Sequence, residues 1–414
     1  EPLTRRSPGA GEVELEVAAV GLNFKDALFA LGMLRQFTGH ARALDQPLGV
    51  EAAGRITSVG PDVEDLEPGD PVVVVAEGAL ASHLTLSRHS VMRRPRGLAA
   101  ALVAGLPTVY LTALYALERV ARLERGESLL VQAAAGGVGQ AAIAVARRRG
   151  ARVLATASRG KHGFLRRRGV EHVFDSRTLD YPDQVRSATG GRGVDVVLDS
   201  LAGEHLSASL DCLAAGGRLV ELAKLGLWSA DEVRAERPDV DYTQFDLADV
   251  FAADPELLAD LGAELERSLA DGSLPLLETG VLPLPELANG LRRLFQGRTV
   301  GKLVVQMPPF GARPWAPDGA WLITGGLGAL GLAAAERLAE RGVRHLVLWS
   351  RSVPGEDARR RIARLQRAAR YHFVHRKDIP CCHYIRVTSR CNQCSSRLQR
   401  DCFRKTGPGG RKLD

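Results

Sequence analysis

The sequence feature that most constrains the fold is a glycine-rich turn between an apolar segment and a helical one. Ser128–Gln132 is apolar enough for a buried strand, and Gly139–Arg149 has the composition of a helix. Between them, Ala134, Gly136 and Gly139 take the three places of a G-x-G-x-x-G pattern. Such a turn lets the backbone approach a pyrophosphate, and the helix N-terminus offers free N–H groups to the anion. The sequence therefore predicts a dinucleotide site formed by Ala134, Gly136, Gly137, Val138 and Gly139.

Strands and helices alternate beyond this turn, which indicates a doubly wound parallel sheet of the α/β class. The further strands predicted for this sheet are Arg152–Thr156, Val194–Asp199 and Gly217–Ala223. A helix is predicted over Leu257–Leu269 and a last strand over Val300–Gln306.

The region before the turn has a different character. Glu12–Ala18 alternates apolar and polar residues in strand fashion, and Pro71–Val75 is a short apolar run. Glycine and proline interrupt this region closely. Residues 1 to about 105 therefore predict a mostly β domain in front of the nucleotide-binding domain.

The residues after the second strand indicate which dinucleotide is bound. An NAD site places an acidic residue about 20 positions beyond the turn, where it binds the ribose 2′-OH. From Arg147 to Val170 there is no acidic residue, and Ser158, Arg159 and Lys161 lie where a 2′-phosphate would bind. The sequence therefore favours NADPH. Two further residues complete the predicted cofactor-binding set, Arg177 and Ser200.

Charge and cysteine separate the chain into a body and a tail. The net charge is +7, but residues 367–414 hold 12 Lys or Arg against 3 Asp, so the body is close to neutral. A neutral body argues against a nucleic-acid partner, and the sequence shows no apolar run of the roughly 20 residues that cross a membrane. Cys212 is the one cysteine before residue 381, so we expect a cytoplasmic body without disulfides.

The remaining cysteines lie in the tail: Cys381, Cys382, Cys391, Cys394 and Cys402. With His383 they offer zinc ligands in principle, but their spacing matches no closed motif. For residues 381–414 we expect a frameshifted, mis-assembled or disordered basic end rather than a zinc or nucleic-acid site.

Three further stretches carry a family resemblance: Gly21–Leu28, Leu48–Gly54 and Gly190–Glu204. Together with Ala133–Gly139 they resemble the enoylreductase domain of modular polyketide synthases, in the medium-chain dehydrogenase/reductase superfamily. That domain is similar to the one in animal-type fatty acid synthase. The resemblance covers residues 10–306 and implies a GroES-like β-rich domain beside a Rossmann domain. It also implies NADPH-dependent reduction of a trans-2-enoyl thioester on an acyl carrier protein.

The same resemblance implies an enzyme without zinc. Zinc-dependent relatives have Cys where this chain has Asn23, and Gly-His-Glu where it has Gly49, Val50 and Glu51. Neither Asn nor Val supplies the thiolate or imidazole of such zinc sites. We therefore predict no metal site.

The implied reaction adds a hydride to the β-carbon and a proton to the α-carbon, so it needs a proton donor. The resemblance implies Lys224 and Asp246 for this step; a surface lysine and a helix cap are the ordinary alternatives. The predicted substrate pocket contains Asn23, Leu34 and Thr112. Some family members have Tyr where this chain has Leu34, and because leucine has no proton to give, a tyrosine-delivered proton is not expected here.

A second strand–turn–helix unit follows a proline-rich linker at residues 307–318. Trp321–Gly331 repeats the glycine turn, and Leu346–Arg351 ends in Ser-Arg rather than an acid. This unit resembles the start of an NADPH-preferring ketoreductase, with the similarity fading between Arg367 and Asp378. Its position after the enoylreductase matches the domain order of reducing polyketide synthases.

These observations predict a series of domains in which the GroES-like domain and the ketoreductase domain are incomplete. The predicted order is a GroES-like domain lacking its first strands (1–105), a Rossmann domain (106–240), a return to the first domain (241–306), the linker (307–318), a truncated ketoreductase start (319–380) and the tail (381–414). Two alternatives stay open: a free-standing zinc-free NADPH:quinone or enone reductase, and an inactive fragment.

Overall fold

The computed structural model describes residues 5–34, 47–201, 203–309, 320–340, 343, 345–350, 354–368 and 372–375. The chain divides into two compact units, Glu1–Phe310 and Gly311–Asp414. The segment Gln36–Gln46, most of the predicted linker and the tail 381–414 lie outside the described residues.

Sixteen strands occur in the described residues. In chain order they are β1 (Glu12–Leu22), β2 (Glu51–Val59), β3 (Pro71–Val75), β4 (His83–Ser87), β5 (Val91–Arg93), β6 (Ser128–Val131), β7 (Arg152–Ala157), β8 (His172–Asp175), β9 (Val194–Asp199), β10 (Leu213–Glu221), β11 (Asp241–Gln244), β12 (Thr279–Pro283), β13 (Lys302–Gln306), β14 (Ala320–Thr324), β15 (His345–Ser350) and β16 (His372–His375).

The α-helices of the same residues are α1 (Phe24–Ala30), α2 (Ala100–Val103), α3 (Pro107–Leu114), α4 (Gly137–Arg149), α5 (Arg159–Arg167), α6 (Tyr181–Ala188), α7 (Glu204–Asp211), α8 (Ala230–Glu236), α9 (Leu247–Ala253), α10 (Pro255–Ala270), α11 (Leu287–Phe295), α12 (Ala329–Glu340) and α13 (Glu356–Ala368). A π-helical turn, Tyr115–Val120, continues α3.

The first sheet is built mainly from antiparallel strands. Its order is β12-β13-β1-β2-β3-β5, with β4 paired to β1. Strands β12 and β13 follow the Rossmann strands in sequence but belong to this first sheet. β12 pairs parallel with β13, and β13 pairs antiparallel with β1. Alternate residues of β1, such as Val13, Leu15 and Val17, are buried, as expected for strands packed on a core.

The second sheet is parallel throughout, in the order β11-β10-β9-β6-β7-β8. This is the Rossmann strand order, with the topological switch beside β6, the strand that leads into the glycine turn. The predicted fold class, a GroES-like β-rich domain with a Rossmann domain, is confirmed.

The largest differences from the sequence prediction in this sheet concern strands β10 and β11. Strand β10 begins at Leu213 rather than Gly217, because a register shift between Leu213 and Arg218 lets the chain bend and still pair with β9. Strand β11 extends the parallel sheet to Gln244. The return to the first domain, predicted to begin at residue 241, therefore begins after this strand.

The longest apolar helical stretch is Ala100–Val120. By length and composition this 21-residue stretch is long and apolar enough to cross a membrane, so the expectation of no such run is wrong in that respect. Within the protein, however, 72% of an apolar 18-residue segment of this stretch is buried. It packs against α4 and α10, the environment of a core helix.

The second unit contains a parallel three-stranded sheet in the order β14-β15-β16. Gly331, in α12, lies close to the turn before that helix. A Cβ at this position would be 2.4 Å from the carbonyl oxygen of Gly325. Leu332, Leu346, Leu348 and Ile362 contribute to a separate small core.

Candidate active site

The glycine turn between β6 and α4 has the shape that a dinucleotide needs. A Cβ at Gly139 would lie 2.5 Å from the Cα of Ala134, so only glycine lets the helix approach the strand this closely. Ala133 adopts a positive φ of 47°, which tightens the turn. Around Gly136, the N-cap of α4, a Cβ would meet only one backbone oxygen within 4 Å. The turn therefore leaves open space at a helix N-terminus and fits a pyrophosphate.

Lys302 connects this turn to the first domain. The neighbouring Gly301 donates its N–H to the carbonyl oxygen of Ala135 over 2.8 Å. The Lys302 side chain then passes Gly137, where a Cβ would be 2.6 Å from the Cδ of the lysine. Gly137 is therefore a glycine because of Lys302 as well as because of the predicted cofactor.

The predicted 2′-phosphate residues lie near the end of β7. Lys161 donates a hydrogen bond of 2.8 Å to the carbonyl oxygen of Gly297, and Arg177 lies close to the same glycine. Burial, with a contribution from Arg177, lowers the pKa of Lys161. Ser158 is the N-cap of α5. The structure thus brings Ser158, Lys161 and Arg177 to one corner.

Arg159 belongs to the same corner but is already paired. Its side chain is exposed and forms an ion pair of 2.7 Å with Asp175 at the end of β8. Asp175 also accepts the backbone N–H of Arg177, which together with Arg159 holds its pKa below the ordinary value. Asp175 thus orders two of the predicted cofactor residues.

Ser200 is exposed at the carboxyl end of β9, next to the buried Asp199. Asp199 and Glu221 occupy paired positions on β9 and β10 and are both buried. Burial raises the pKa of Asp199 to about 6. Burial and the charge of Asp199 raise that of Glu221 to about 7. Sequence reasoning missed this carboxyl pair.

The two predicted catalytic residues contact each other. The ammonium of Lys224, just after β10, lies 3.1 Å from Oδ2 of Asp246. Lys25, near the start of α1, lies 3.2 Å from the same oxygen. The other oxygen of Asp246 accepts the N–H of Ala248, so the aspartate is also the cap of α9. Burial raises the pKa of Asp246, but Lys224 and Lys25 outweigh it and hold that pKa below its ordinary value.

Asn23 belongs to a buried polar network with Glu51 and Lys302. Its Nδ2 donates to Oε1 of Glu51 at 2.8 Å, and its Oδ1 accepts from Nζ of Lys302 at 2.7 Å. Lys302 and Glu51 form an ion pair of 2.8 Å and are 3% and 0% exposed. The other oxygen of Glu51 accepts the N–H of Thr108.

The remaining predicted pocket residues differ in position. Leu34 is buried in a small apolar cluster with Leu28 and Phe29, against which Leu225, the neighbour of Lys224, packs. Thr112 is 8% exposed and donates its hydroxyl to the carbonyl oxygen of Thr108 within its own helix. The structure thus places Leu34 beside the lysine–aspartate cluster and leaves the hydroxyl of Thr112 engaged inside α3.

Two functional candidates were not singled out from the sequence, Lys25 and Lys302. Lys25 lies inside the stretch Gly21–Leu28 that carried the family resemblance, and its charge beside Asp26 was the available signal. Lys302 lies on the last predicted strand, Val300–Gln306, to which no functional residue was assigned. A lysine in a strand expected to be buried is unusual, and this was the available signal. Their partners are more than 200 residues away in sequence.

Three family matches agree with this architecture. Residues 9–112 match the alcohol dehydrogenase GroES-like domain, residues 137–258 match the zinc-binding dehydrogenase family, and residues 319–389 match the KR domain. The KR match extends past Asp378, so the predicted end of the similarity comes too early. In the part of the chain that the structure describes, no group of three or more His, Cys, Asp or Glu side chains is arranged to hold a metal ion.

Curated relatives are large synthases. The chain is 44% identical over 354 residues to erythronolide synthase EryA2 of Saccharopolyspora erythraea, of which it covers 9%. It is 42% identical over 361 residues to the pikromycin polyketide synthase component PikAII of Streptomyces venezuelae, again covering 9%. In both cases the match includes about 85% of this chain, 84% and 86% respectively. The chain thus spans less than a tenth of the length of these relatives.

Solved structures match most of the chain. The CurK enoyl reductase is 42% identical with a TM-score of 0.72, and the match covers 74% of this chain and 94% of that one. The JamJ enoyl reductase is 35% identical with the same TM-score and coverage. An Escherichia coli quinone oxidoreductase in complex with NADPH is 26% identical, with a TM-score of 0.67 and coverage of 74% and 95%.

The two-domain fold and the glycine turn identify an oxidoreductase built for a nicotinamide cofactor. The predicted resemblance is confirmed, since a solved relative above 30% identity is covered almost completely. The chain belongs to the enoyl reductase family of modular polyketide synthases, in the medium-chain dehydrogenase/reductase superfamily, and its residues 319–389 match the KR domain.

Proposed function

We propose that this chain uses NADPH to reduce a trans-2-enoyl thioester, carried by an acyl carrier protein, to the saturated thioester. The observation that carries the proposal is the cluster of Lys224, Asp246 and Lys25. Lys224 follows β10 at the carboxyl edge of the parallel sheet, and the glycine turn follows β6 at the same edge. Ligands of doubly wound sheets bind along this edge, so we place the proton donor and the cofactor at the same edge of the sheet.

NADPH is favoured by the corner of Ser158, Lys161 and Arg177. Lys161 and Arg177 both lie near Gly297, and a 2′-phosphate between them would neutralise two neighbouring cations. The related quinone oxidoreductase was solved with NADPH. When bound, NADPH supplies the hydride that reduces the β-carbon.

The proton for the α-carbon is assigned to Lys224. Asp246 stays ionised because two lysines hold its pKa down, so it orients the ammonium of Lys224 rather than giving up a proton itself. Lys25 binds the same oxygen, which leaves the cluster with one positive charge in excess. The Lys224 side chain is 26% exposed, so solvent can return the proton after each turnover.

The partners proposed for the chain follow from its relatives. These are multidomain synthases, and a KR match lies directly after the enoyl reductase in this sequence. We therefore propose an acyl carrier protein and neighbouring synthase domains as partners. A cytoplasmic location is consistent with Cys212, the one cysteine in the described residues, which is buried and free.

Substrate choice tests the proposal. Crotonyl-pantetheine represents the carrier-bound thioester, and a benzoquinone represents the substrate of a free-standing quinone reductase. We expect NADPH oxidation with the thioester, accompanied by formation of butyryl-pantetheine, and little oxidation with the quinone. Oxidation with the quinone alone would support the alternative reductase. Failure to bind NADPH would support an inactive fragment.

A further inference from the structure

We propose that Asn23 is a further catalytic residue, whose amide N–H donates a hydrogen bond to the thioester carbonyl oxygen as negative charge develops on it. Lys302 and Glu51 are the positioning residues that fix this amide. The inference rests on the proposed enoyl reduction and names the group that stabilises its enolate.

The amide of Asn23 is held in one orientation. Its oxygen faces the ammonium of Lys302 at 2.7 Å and its nitrogen faces the carboxylate of Glu51 at 2.8 Å. Rotating the amide by 180° would point nitrogen at an ammonium and oxygen at a carboxylate. Because both contacts would then be repulsive, the side chain has a single allowed state.

Lys302 and Glu51 have little capacity left for a ligand. The ammonium of Lys302 has three hydrogens, and three acceptors surround it: the carbonyl oxygen of Leu22 at 2.9 Å, Asn23 and Glu51. Glu51 is fully buried and accepts from Asn23, Lys302 and the N–H of Thr108. A substrate therefore meets neither charge directly.

Asn23 is the member of the network that a substrate can reach. It is half-buried, whereas both charged partners are buried. An amide nitrogen carries two hydrogens, and Glu51 accepts one of them, so the second is available to a ligand. The ammonium behind Oδ1 draws electron density from the amide, which strengthens the remaining N–H as a donor.

The surroundings of the network also indicate a missing polar partner. Thr108, whose N–H binds Glu51, has a buried hydroxyl oxygen without a hydrogen-bond partner in the structure. Few buried side-chain atoms of the described residues lack a partner, so the hydrogen bonding around Thr108 is incomplete in the structure.

The position of Asn23 suits the reaction. Asn23 precedes the first turn of α1, from which Lys25 reaches Asp246, the ion-pair partner of Lys224. On its other side, Lys302 packs against Gly137 of the cofactor turn. The amide thus lies between the cofactor turn and the proton donor. The carbonyl oxygen of a thioester is two bonds from the α-carbon, so one substrate can contact both Asn23 and Lys224.

The chemistry balances with this assignment. A hydride supplied by NADPH would form the C–H bond at the β-carbon, the π pair of the C=C bond would form a new double bond between the α-carbon and the carbonyl carbon, and the carbonyl π pair would move to the oxygen. Asn23 stabilises that oxygen without giving up its proton. Lys224 then transfers a proton to the α-carbon, the carbonyl re-forms, and solvent reprotonates Lys224. Preorganised donors of this kind typically change a rate by about 10²–10³-fold.

The test compares Asn23→Ala and Asn23→Asp with wild type, using NADPH and crotonyl-pantetheine. Asn23→Asp keeps an oxygen against Lys302 and has no N–H to donate, but its second oxygen faces the carboxylate of Glu51. Asn23→Ala lacks the donor without adding this repulsion, so a similar loss in both variants assigns the effect to the missing N–H. For both variants we expect kcat to fall about 100-fold, with the KM for the thioester and the Kd for NADPH changed by less than about threefold. Ser128→Ala, which removes a buried hydroxyl at the start of β6, at the sheet edge opposite the glycine turn, is the control and should retain kcat.

A spectroscopic measurement covers the case in which a variant does not fold. Wild type with NADP⁺ is mixed with butyryl-pantetheine carrying ¹³C at the carbonyl, and the carbonyl stretch is recorded by infrared difference. We expect a shift to lower frequency relative to the thioester in water. A bound thioester with an unshifted carbonyl, or an unchanged kcat in Asn23→Asp, would overturn the inference. Absence of wild-type turnover would instead overturn the proposed function.

Discussion

The ammonium of Lys224 lies 3.1 Å from Oδ2 of Asp246, and that oxygen is shared with a second ammonium, Lys25, at 3.2 Å. One carboxylate cannot neutralise two lysines, so the cluster keeps a net positive charge at the carboxyl edge of the parallel sheet. An enolate is the negatively charged species of the proposed reaction, and the cluster attracts it while a proton is supplied.

Replacing Lys224 by Met should slow enoyl reduction by about 10²–10⁴-fold, the usual contribution of a positioned proton donor. Cofactor affinity should change little, since Lys224 contacts Asp246 and the Phe245 carbonyl rather than the glycine turn. Steady-state kinetics and NADPH fluorescence titration measure the two quantities. Arg234→Ala, on the surface of α8, is the control. A rate within twofold of wild type would remove Lys224 from the mechanism.

Lys25 should act through Asp246. Lys25→Met and Asp246→Asn each remove one member of the same contact, so their effects on kcat should not add in the double variant. We expect a smaller loss for Lys25→Met than for Lys224→Met, because Lys25 is assigned no proton transfer. A double-mutant cycle on kcat measures the coupling. Full additivity of the two effects would show that the ion pair has no part in turnover.

The contact between Lys161 and Gly297 leads to a prediction about cofactor choice. Lys161→Ala and Arg177→Ala should each raise the KM for NADPH about tenfold or more, since a charge-assisted phosphate contact is worth about 1.5–3 kcal/mol. The KM for NADH should stay nearly constant, because NADH has no 2′-phosphate. Parallel kinetics with the two cofactors give this ratio. Equal losses with NADH would place these residues outside the 2′-phosphate site.

Gly139→Ala should destabilise the Rossmann domain severely. The new Cβ would lie 2.5 Å from the Cα of Ala134. The Cβ is fixed to the backbone of residue 139 and the Cα of Ala134 is itself backbone, so neither atom can move away without a backbone shift. Overpacking of this kind costs about 1–3 kcal/mol and sometimes more. Gly163→Ala is the matched control: it lies within α5, where only the end of the Arg167 side chain is near, and should stabilise by about 0.5–1 kcal/mol. Thermal unfolding of both variants decides whether the close approach limits stability.

The regular elements were the most predictable part of the fold. Pro71–Val75 and Val194–Asp199 are strands with the bounds that their apolar patterns predict, because burial on one or both faces of a sheet imposes a local pattern. The membership of Asp241–Gln244 in the parallel sheet was missed, since its edge position leaves it polar and without a strong pattern.

The candidate site also has a part that the sequence predicts and a part that it does not. The glycine turn is readable because its steric demand falls on neighbouring residues such as Ala134 and Gly139. The network of Asn23, Glu51 and Lys302 could not be predicted from the sequence. Lys302 meets its partners only because β13 pairs with β1 in the first sheet. No spacing rule within the sequence connects them.

The paired carboxyl groups of Asp199 and Glu221 predict an unusual dependence of stability on pH. Burial raises both folded-state pKa values, to about 6 and about 7, so the folded protein binds protons that the unfolded chain has released above about pH 4. The free energy of unfolding should therefore fall as the pH rises from about 4 to about 7 and then level off.

Asp199→Asn removes one carboxyl of this pair and isolates its contribution. The amide keeps an oxygen to accept the N–H of Leu201, and it places an N–H₂ group where Oδ2 of Asp199 has no partner. Because Glu221 is at the paired position on β10, its carboxylate gains a neutral neighbour in place of a charged one. At pH 8 the variant should be more stable than wild type by about 2 kcal/mol, and at pH 4 the difference should vanish. Denaturant unfolding at the two pH values measures this, with Asp241→Asn on the exposed edge strand as the control. A variant that is less stable than wild type at pH 8 would contradict the prediction. It would show that the charge of Asp199 stabilises the folded protein through a cationic or hydrogen-bonding partner.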